Sequence, residues 1–282
     1  KKISIIVSVY NEEEVLFEFY RETIKVLLLI DNPYEIIFVN DGSTDGSRST
    51  LFKLSRDDEN VKVIHFSRNF GHEAAMIAGI DYASGDYIVC MDSDLQHPPT
   101  LLPEIIRKFD SGFDIINMVR TENKSAGILK NITSAGFYKV INKVSDMKLV
   151  SNASDFFGIS KRVADILRNN YREKTRFLRG YVQNVGFNTT NIEYEARKRY
   201  AGESKYSIKK LFRFSMNTIM IYTVVSFLRV GTPSGYATII CLICFMFSVL
   251  FFIVGIIGEY LGLILAEQKD RPLYIVEEKI NF

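Results

Sequence analysis

The sequence predicts an α/β protein: a mostly parallel sheet with helices on both faces, then a C-terminal third that belongs in or on a membrane. Three observations carry this. From Ile3 to Val119, β-rich runs alternate with helical patterns through five units, as a parallel sheet covered on both faces requires. Each unit carries its polar cluster where strand gives way to helix, the edge at which such sheets bind ligands. Beyond about Phe212 the composition turns strongly apolar.

The first run, residues 3–10, is continuous and β-rich, as expected for a strand buried on both faces. Asn11-Glu12-Glu13-Glu14 then caps an amphipathic helix reaching about Leu29. Asp31-Asn32-Pro33 turns the chain into a second strand, residues 34–39, which ends in Asn40-Asp41-Gly42-Ser43-Thr44-Asp45-Gly46-Ser47 before another helix. A third strand, 61–66, leads through Ser67-Arg68-Asn69-Phe70-Gly71 into a helix starting near His72. The fourth, 86–90, delivers Met91-Asp92-Ser93-Asp94-Leu95-Gln96-His97-Pro98-Pro99, followed by a helix over about 101–109 and a fifth strand over 113–119. Residues 124–144 read as a helix dotted with lysines, 155–160 as a late strand with a helix to about Asn170, and 185–194 as strand-like. Arg197 to Tyr206 is a basic, glycine-containing loop.

Residues 207–230 are amphipathic, with Lys209, Lys210 and Arg213 ahead of Ile219, Ile221, Val224, Val225, Phe227 and Leu228. That suits a helix lying in a membrane interface, its lysines toward lipid head groups. Residues 237–258 carry no charge and are long enough to cross roughly 30 Å of hydrocarbon at about 1.5 Å per residue. The expected organisation is therefore a cytosolic domain over 1–206, juxtamembrane helices over 207–230, a transmembrane region over 231–266 and a cytosolic tail over 267–282. Positive residues flank the apolar region on both sides (Lys209, Lys210, Arg213 and Arg229 before; Lys269 and Arg271 after), and both flanks prefer the cytoplasm. One span would separate them, so the pattern favours an even number: either residues 219–230 contribute a re-entrant or partial span or, the favoured reading, a segment is missing near Val230-Gly231. No signal peptide precedes the first strand, and without an initiator Met the chain is read as lacking part of its N-terminus.

Composition narrows the function. Lys and Arg number 35 against 33 Asp and Glu, so bulk charge gives no reason to expect a nucleic-acid partner. The three cysteines build no disulfide framework, and Cys241-x-x-Cys244 sits in an apolar run without other metal ligands nearby. Asp92, Asp94 and Gln96 all offer oxygen, the ligand type that Mg²⁺ or Mn²⁺ prefers, on the turn leaving a strand. Asp41 and Asp92 suit uracil or ribose contacts, while Asp94 and Gln96 suit a metal bridging a diphosphate. Dinucleotide and nucleoside-triphosphate readings fall because neither G-x-G-x-x-G after the first strand nor G-x-x-x-x-G-K-[ST] occurs. A nucleotide sugar remains.

The motifs Val7-Ser8-Val9-Tyr10-Asn11-Glu12-Glu13, Val39-Asn40-Asp41-Gly42-Ser43-Thr44-Asp45, Asn69-Phe70-Gly71 and Met91-Asp92-Ser93-Asp94-Leu95-Gln96-His97-Pro98 together resemble the family-2 glycosyltransferases. Gly202-Glu203-Ser204-Lys205-Tyr206 and Gly258-Glu259-Tyr260-Leu261-Gly262 through Arg271-Pro272-Leu273-Tyr274 resemble the polyisoprenyl-phosphate branch, which contains bactoprenol glucosyltransferases and dolichol-phosphate mannosyltransferases. The resemblance implies an A-type, Rossmann-like glycosyltransferase fold. It also implies inverting, metal-dependent transfer of a single hexose, best matched by UDP-glucose, to a polyprenyl phosphate such as undecaprenyl phosphate. The enzyme would be integral to the cytoplasmic (inner) membrane with its catalytic domain in the cytosol, and a homo-oligomer is compatible with this.

On the same resemblance Tyr10, Asn11, Glu12, Asp41, Arg68 and Asp92 hold the donor, with Asp92, Asp94 and Gln96 around Mg²⁺ or Mn²⁺. Arg120 meets the acceptor phosphate; Arg199, Ser204 and Lys205 steady phosphates. Asp94, Asp155 and Arg120 form the catalytic set. Three departures stand out: Ser8 where proline is usual, no clear acceptor-loop pattern over 121–126, and Phe157 in place of a common arginine. GDP-mannose is the alternative donor. A processive polysaccharide synthase is a further alternative, although its usual Gln-x-x-Arg-Trp motif is absent from a chain with no Trp. A non-catalytic membrane scaffold would have no need for the intact Asp92, Asp94 and Gln96.

Overall fold

The computed structural model describes residues 1–121, 153–174, 176–195 and 236–282. Its sheet is centred on β1 (Ile3–Val9), in which every residue is buried. Strand alternation accounts for this: Ile3, Ile5, Val7 and Val9 face one hydrophobic layer and Ile6 the other. Helices α1 (Glu13–Ile30), α2 (Ser47–Asp57) and α4 (Leu102–Asp110) close the first layer with Leu16, Phe19, Leu51 and Ile105. Helices α3 (His72–Tyr82), α5 (Lys161–Asn170) and α6 (Leu178–Asn184) close the second with Ala75, Ala78, Val163 and Val182. A Cβ at Gly79 would come within 2.2 Å of the Ile6 side chain, so glycine lets α3 lie directly on β1.

The remaining strands are β2 (Tyr34–Asn40), β3 (Val61–Phe66), β4 (Tyr87–Asp92), β5 (Ile115–Arg120), β6 (Ala153–Ser160), β7 (Thr189–Tyr194) and β8 (Val276–Ile280). They lie in the order β7-β5-β6-β4-β1-β2-β3-β8. The four central strands are parallel, as the alternating pattern predicts. The whole sheet is mixed, because β6 runs antiparallel between β4 and β5, and β8 runs antiparallel to β3. Two reversals through β6 restore the direction of β4 in β5, and β7 pairs parallel with β5. The ends of β1 to β5 and the beginning of β6 consequently share one edge.

At the opposite edge Glu35, 1% exposed, receives Ser4 Oγ at 2.6 Å, the Ser84 amide at 2.7 Å and the ammonium groups of Lys2 and Lys62 at 2.8 and 3.0 Å. This buried carboxylate is fully partnered.

Two expected elements take a different form. The strand-like stretch 185–194 is helix α6 before it and strand only over Thr189–Tyr194, because Gly186 (φ +78°) occupies the left-handed position just past the helix end. Residues 267–282, read as a tail, include strand β8: Glu277 and Glu278 pair with Arg48, while Leu273 is buried. Charge on an exposed edge strand hid it from a hydrophobicity reading.

By contact the chain divides into two units, Lys1–Ala201 with Arg271–Phe282, and Gly202–Asp270. The second contains α7 (Tyr236–Gln268), a 33-residue helix that continues past Glu259, the first charge after the uncharged run 237–258. Its stretch Phe245–Gln268 has a mean hydropathy of 2.4 and is long and apolar enough to cross a membrane, with Phe251, Phe252 and Ile264 exposed. The helices expected over 124–144 and 207–230 lie outside the described residues.

Candidate active site

β1 connects to β2 on one side, whereas the chain crosses back from β3 to β4 on the other side of β1. Such a reversal leaves a crevice beyond the strand ends. A cleft of about 500 Å³ lies there. The end of β1 contributes Ser8, Tyr10 and Glu12; β2 contributes Asp41; the β3–α3 loop contributes Asn69, Gly71 and His72. Asp92, Ser93 and Asp94 come from the end of β4, and Asp155 from the start of β6. Asp155 arrives from the reversed strand, which is why a residue so late in the chain joins the others.

The loops are tied to one another before any ligand is considered. Asn11 sits at φ 56°, a left-handed position that asparagine tolerates better than most residues. Its Oδ1 accepts the Thr44 amide at 2.8 Å, and its own amide donates to Ser43 Oγ at 3.0 Å. The Glu12 amide donates to Ser47 Oγ at 3.0 Å, and Glu13 Oε2 accepts the Gly46 amide at 2.9 Å. Thus the two acidic motifs after β1 and β2 interlock. Asp41, 2% exposed, accepts the amides of Phe70 and Gly71 at 2.6 and 2.9 Å, joining the third loop to the second. Burial raises the Asp41 carboxyl above its ordinary range, and those two amides with Arg176 counteract the rise. The loop passes so close that a Cβ on Gly42 (φ +68°) would fall 2.5 Å from the Arg68 carbonyl carbon.

At the end of β4 the Asp92 amide donates to His97 Nδ1 at 2.9 Å, and Asp94 Oδ1 accepts the Gln96 amide at 3.0 Å. Between them Leu95 adopts φ 61°, a strained conformation for leucine of the kind that clusters at functional sites. Burial pushes the Asp92 carboxyl up to about 6; Asp94 and Asp155 add to the rise, while His72 and Arg120 oppose it. His72, bonded to Ser8 Oγ at 3.0 Å, stands with Nε2 3.6 Å from Asp92 Oδ1. His97 is wholly buried, stacks on Phe156 and is held neutral by burial, its pKa lowered to about 3.

Asp92, Asp94 and Asp155 bring three carboxylates into one cleft in which His72 is the basic side chain. Such a donor set suits a hard divalent cation. Among the described residues no three His, Cys, Asp or Glu side chains form a closed metal cage. Mg²⁺ or Mn²⁺ held by two carboxylates needs none, since substrate oxygens and water complete its shell. Asp92 and Asp94 therefore fit as ligands. Gln96 is half-buried beside the cleft and contributes its backbone to Asp94, so the sequence-derived trio is represented in the cleft by its two acids.

On the neighbouring side, Arg179 Nη2 donates to Asp155 Oδ1 at 2.9 Å. Arg120 ends β5, donates from Nε to the Tyr194 hydroxyl at 3.0 Å and approaches His97 Nε2 at 3.2 Å.

Of the residues singled out in the sequence, Tyr10, Glu12, Asp41, Asp92, Asp94 and Asp155 line the cleft. Asn11 serves the loops instead, and exposed Arg68 covers the Phe70 ring at 4.1 Å. Arg120 lies at the same edge but outside the lining. Arg199, Ser204 and Lys205 fall outside the described residues. The polar clusters that the sequence places at this edge include Asn69, whereas Gly71, His72 and Ser93 are not singled out as site residues. Gly71 and His72 follow the same strand end as Asn69, the signal that could have found them.

Comparison with known proteins gives the class of enzyme that this fold and cleft belong to. The model of glycosyl transferase family 2 matches residues 4–167, and the chain belongs to that family. It is a glycosyltransferase with the A-type fold. The chain is 38% identical to the uncharacterized glycosyltransferase YkcC of Bacillus subtilis (strain 168), over 98% of this chain and 93% of that protein. It is 33% identical to the bactoprenol glucosyl transferase of Shigella phage SfV, over 99% of each. These alignments run over 301 and 304 positions, more than the 282 residues here, so the relatives hold residues inside the aligned span that have no counterpart in this chain. Among solved structures, a mycobacterial protein superposes with a TM-score of 0.50 at 16% identity, covering 83% of this chain and 76% of that one.

Proposed function

We propose that the protein transfers a single hexose, with inversion, from a nucleotide sugar to a polyprenyl phosphate at the cytoplasmic face of a membrane. The donor is UDP-glucose and the acceptor undecaprenyl phosphate. One observation carries the donor half: a cleft at the sheet's switch point collects Asp92, Asp94 and Asp155 with the Asp92 carboxyl raised to about 6, a site built for cationic company. The relatives named bactoprenol glucosyl transferase support the acceptor half.

Asp92 and Asp94 would hold Mg²⁺ or Mn²⁺, which supplies neutralisation of the charge developing on the departing nucleoside diphosphate. Tyr10 and Glu12 flank the nucleotide. Asp41 keeps lone pairs for uracil or ribose donors after serving the Phe70 and Gly71 amides. The acceptor phosphate oxygen forms the new bond to the anomeric carbon as the bond to the donor phosphate breaks, and the nucleoside diphosphate leaves with the electron pair. An anionic phosphate needs little general-base help, so the demand on this chain is alignment of two negatively charged substrates. Arg120 answers the acceptor phosphate, with Arg199, Ser204 and Lys205. Asp155, held by Arg179, orients the reacting groups.

For the membrane, the segments on either side of residues 202–270 belong to one unit, so they share one side of any bilayer. This supports the reading in which Arg271 lies in the cytosol with the first unit and crossings come in pairs.

Incubating the purified full chain with radiolabelled UDP-glucose or GDP-mannose, undecaprenyl phosphate and Mn²⁺ tests this. A chloroform-soluble monosaccharide lipid from UDP-glucose is the expected product. The same product from GDP-mannose alone replaces the donor assignment, a polymer replaces single transfer with a synthase, and no product from either donor rejects the proposal.

A further inference from the structure

The loop Asn69-Phe70-Gly71 is gripped from two sides. Asp41 takes its amides, as described above. Its carbonyl side is taken by Arg176: Nη1 donates to the Phe70 carbonyl at 2.7 Å and Nη2 to the Leu273 carbonyl at 2.6 Å. Leu273 belongs to the segment that follows α7. The same segment supports the loop twice more: the Ser67 amide donates to the Ile275 carbonyl at 3.1 Å, and the Tyr274 ring stacks on Phe66 with centroids 5.2 Å apart. Phe66 in turn meets Phe70 edge-on at 5.6 Å. Tyr274 is fixed from behind, its hydroxyl donating to Asp81 Oδ2 at 2.6 Å.

Glu73 and Asp41 supply charge opposite to this partly buried guanidinium. Its directed bonds nevertheless go to the two backbone carbonyls, its Nε being buried without a hydrogen-bond partner, so the guanidinium fixes where those carbonyls lie. We infer that Arg176 and residues 273–275 form a brace that sets the donor loop, making Arg176 a positioning residue for the nucleotide and linking the segment that leaves the apolar helix to the donor cleft. This rests on the donor-site reading above.

The test needs one measurement that does not depend on nucleotide. Amide hydrogen exchange at Phe70 and Gly71 is followed in the ligand-free full chain for wild type, R176A and R176K. The control is N281A, which removes the bonds from Asn281 to the Ser55 and Val61 carbonyls at the far end of the same return segment. Affinity for UDP with Mn²⁺ and steady-state kinetics follow on the same samples. In R176A, exchange at both amides should rise about tenfold, and Kd and donor KM should rise by a similar factor, with kcat at saturating donor within about twofold. R176K should fall between, since one ammonium replaces a guanidinium that spans two carbonyls. N281A, at an equal loss of Tm, should leave exchange and affinity unchanged. R176A with unchanged exchange and affinity, or N281A matching its losses, would overturn the brace. The exchange effect in a protein that binds no UDP would overturn the donor-site reading instead.

Discussion

Glu35 and Asp92 are both carboxylates drawn into the same sheet, one where strands begin and the other where they end. Burial alone would raise both. Around Glu35 the bonds from Lys2, Ser4, Ser84 and Lys62 outweigh burial and bring the carboxyl down to about 2. Around Asp92 the close company includes Asp94 and Asp155, and the carboxyl goes up to about 6. One edge is electrostatically complete; the other is left short of positive charge. The difference teaches where a ligand belongs: carboxylates that raise one another are gathered where a cation can join them.

The comparison can be broken from either end. The largest effect belongs to D92N or D94N, which should lower kcat/KM by about 10³-fold or more, since under the proposed function each removes a group acting on the leaving diphosphate. Saturating Mn²⁺ should not restore the rate. E35Q should do the reverse. It leaves Lys2 and Lys62 beside a neutral group and should lower stability by about 3 kcal/mol in chemical denaturation followed by circular dichroism, with turnover per folded molecule intact.

The pH dependence sharpens the contrast because the two signs are opposite. Between about pH 4 and 6, metal-free folded protein binds the Asp92 proton and the unfolded chain does not, so stability from this group is lost as pH rises through that window. For Glu35 the unfolded chain binds the proton between about pH 2 and 4.3, so its contribution is lost as pH falls through that range. Metal-free wild type and D92N should therefore unfold alike below about pH 4, with the variant about 3 kcal/mol more stable well above pH 6. Mn²⁺ should stabilise wild type and cancel that advantage.

The smallest effect is expected at Asp155. With Arg179 on one oxygen and an acceptor already anionic, D155N should change kcat by less than about tenfold and leave the pH–rate profile flat. A loss of several orders of magnitude would make Asp155 the proton acceptor.

Much of this was legible in the chain. Periodicity located the central strands within a residue or two, because each is buried on both faces and reads as an unbroken apolar run. Acidic motifs at strand ends found Tyr10, Glu12, Asp41, Asp92 and Asp94 for the same topological reason. Local pattern could not show that β6 is inserted in reverse, which is what brings Asp155 to the cleft. It could not separate a lining residue from a bracing one either: Asn11 and Glu12 are neighbours in one motif, yet Asn11 turns to Thr44 and Glu12 to the cleft. β8 escaped because Glu277, Glu278 and Lys279 look like a solvated tail, and Arg176 because two backbone carbonyls leave no mark on a sequence.

The pairing of β8 with β3 also has a consequence in time. Asn281 and the Val61 carbonyl it meets are 220 residues apart in sequence. At ribosomal rates of about 5–20 residues per second, roughly 10–45 s separate the synthesis of the two partners. Within that interval α7 emerges ahead of the strand that completes the sheet and the Arg176 contact to Leu273. The chain's order thus places synthesis of the apolar helix before completion of the cleft, so the unit that holds the cleft finishes folding only after that helix has been made.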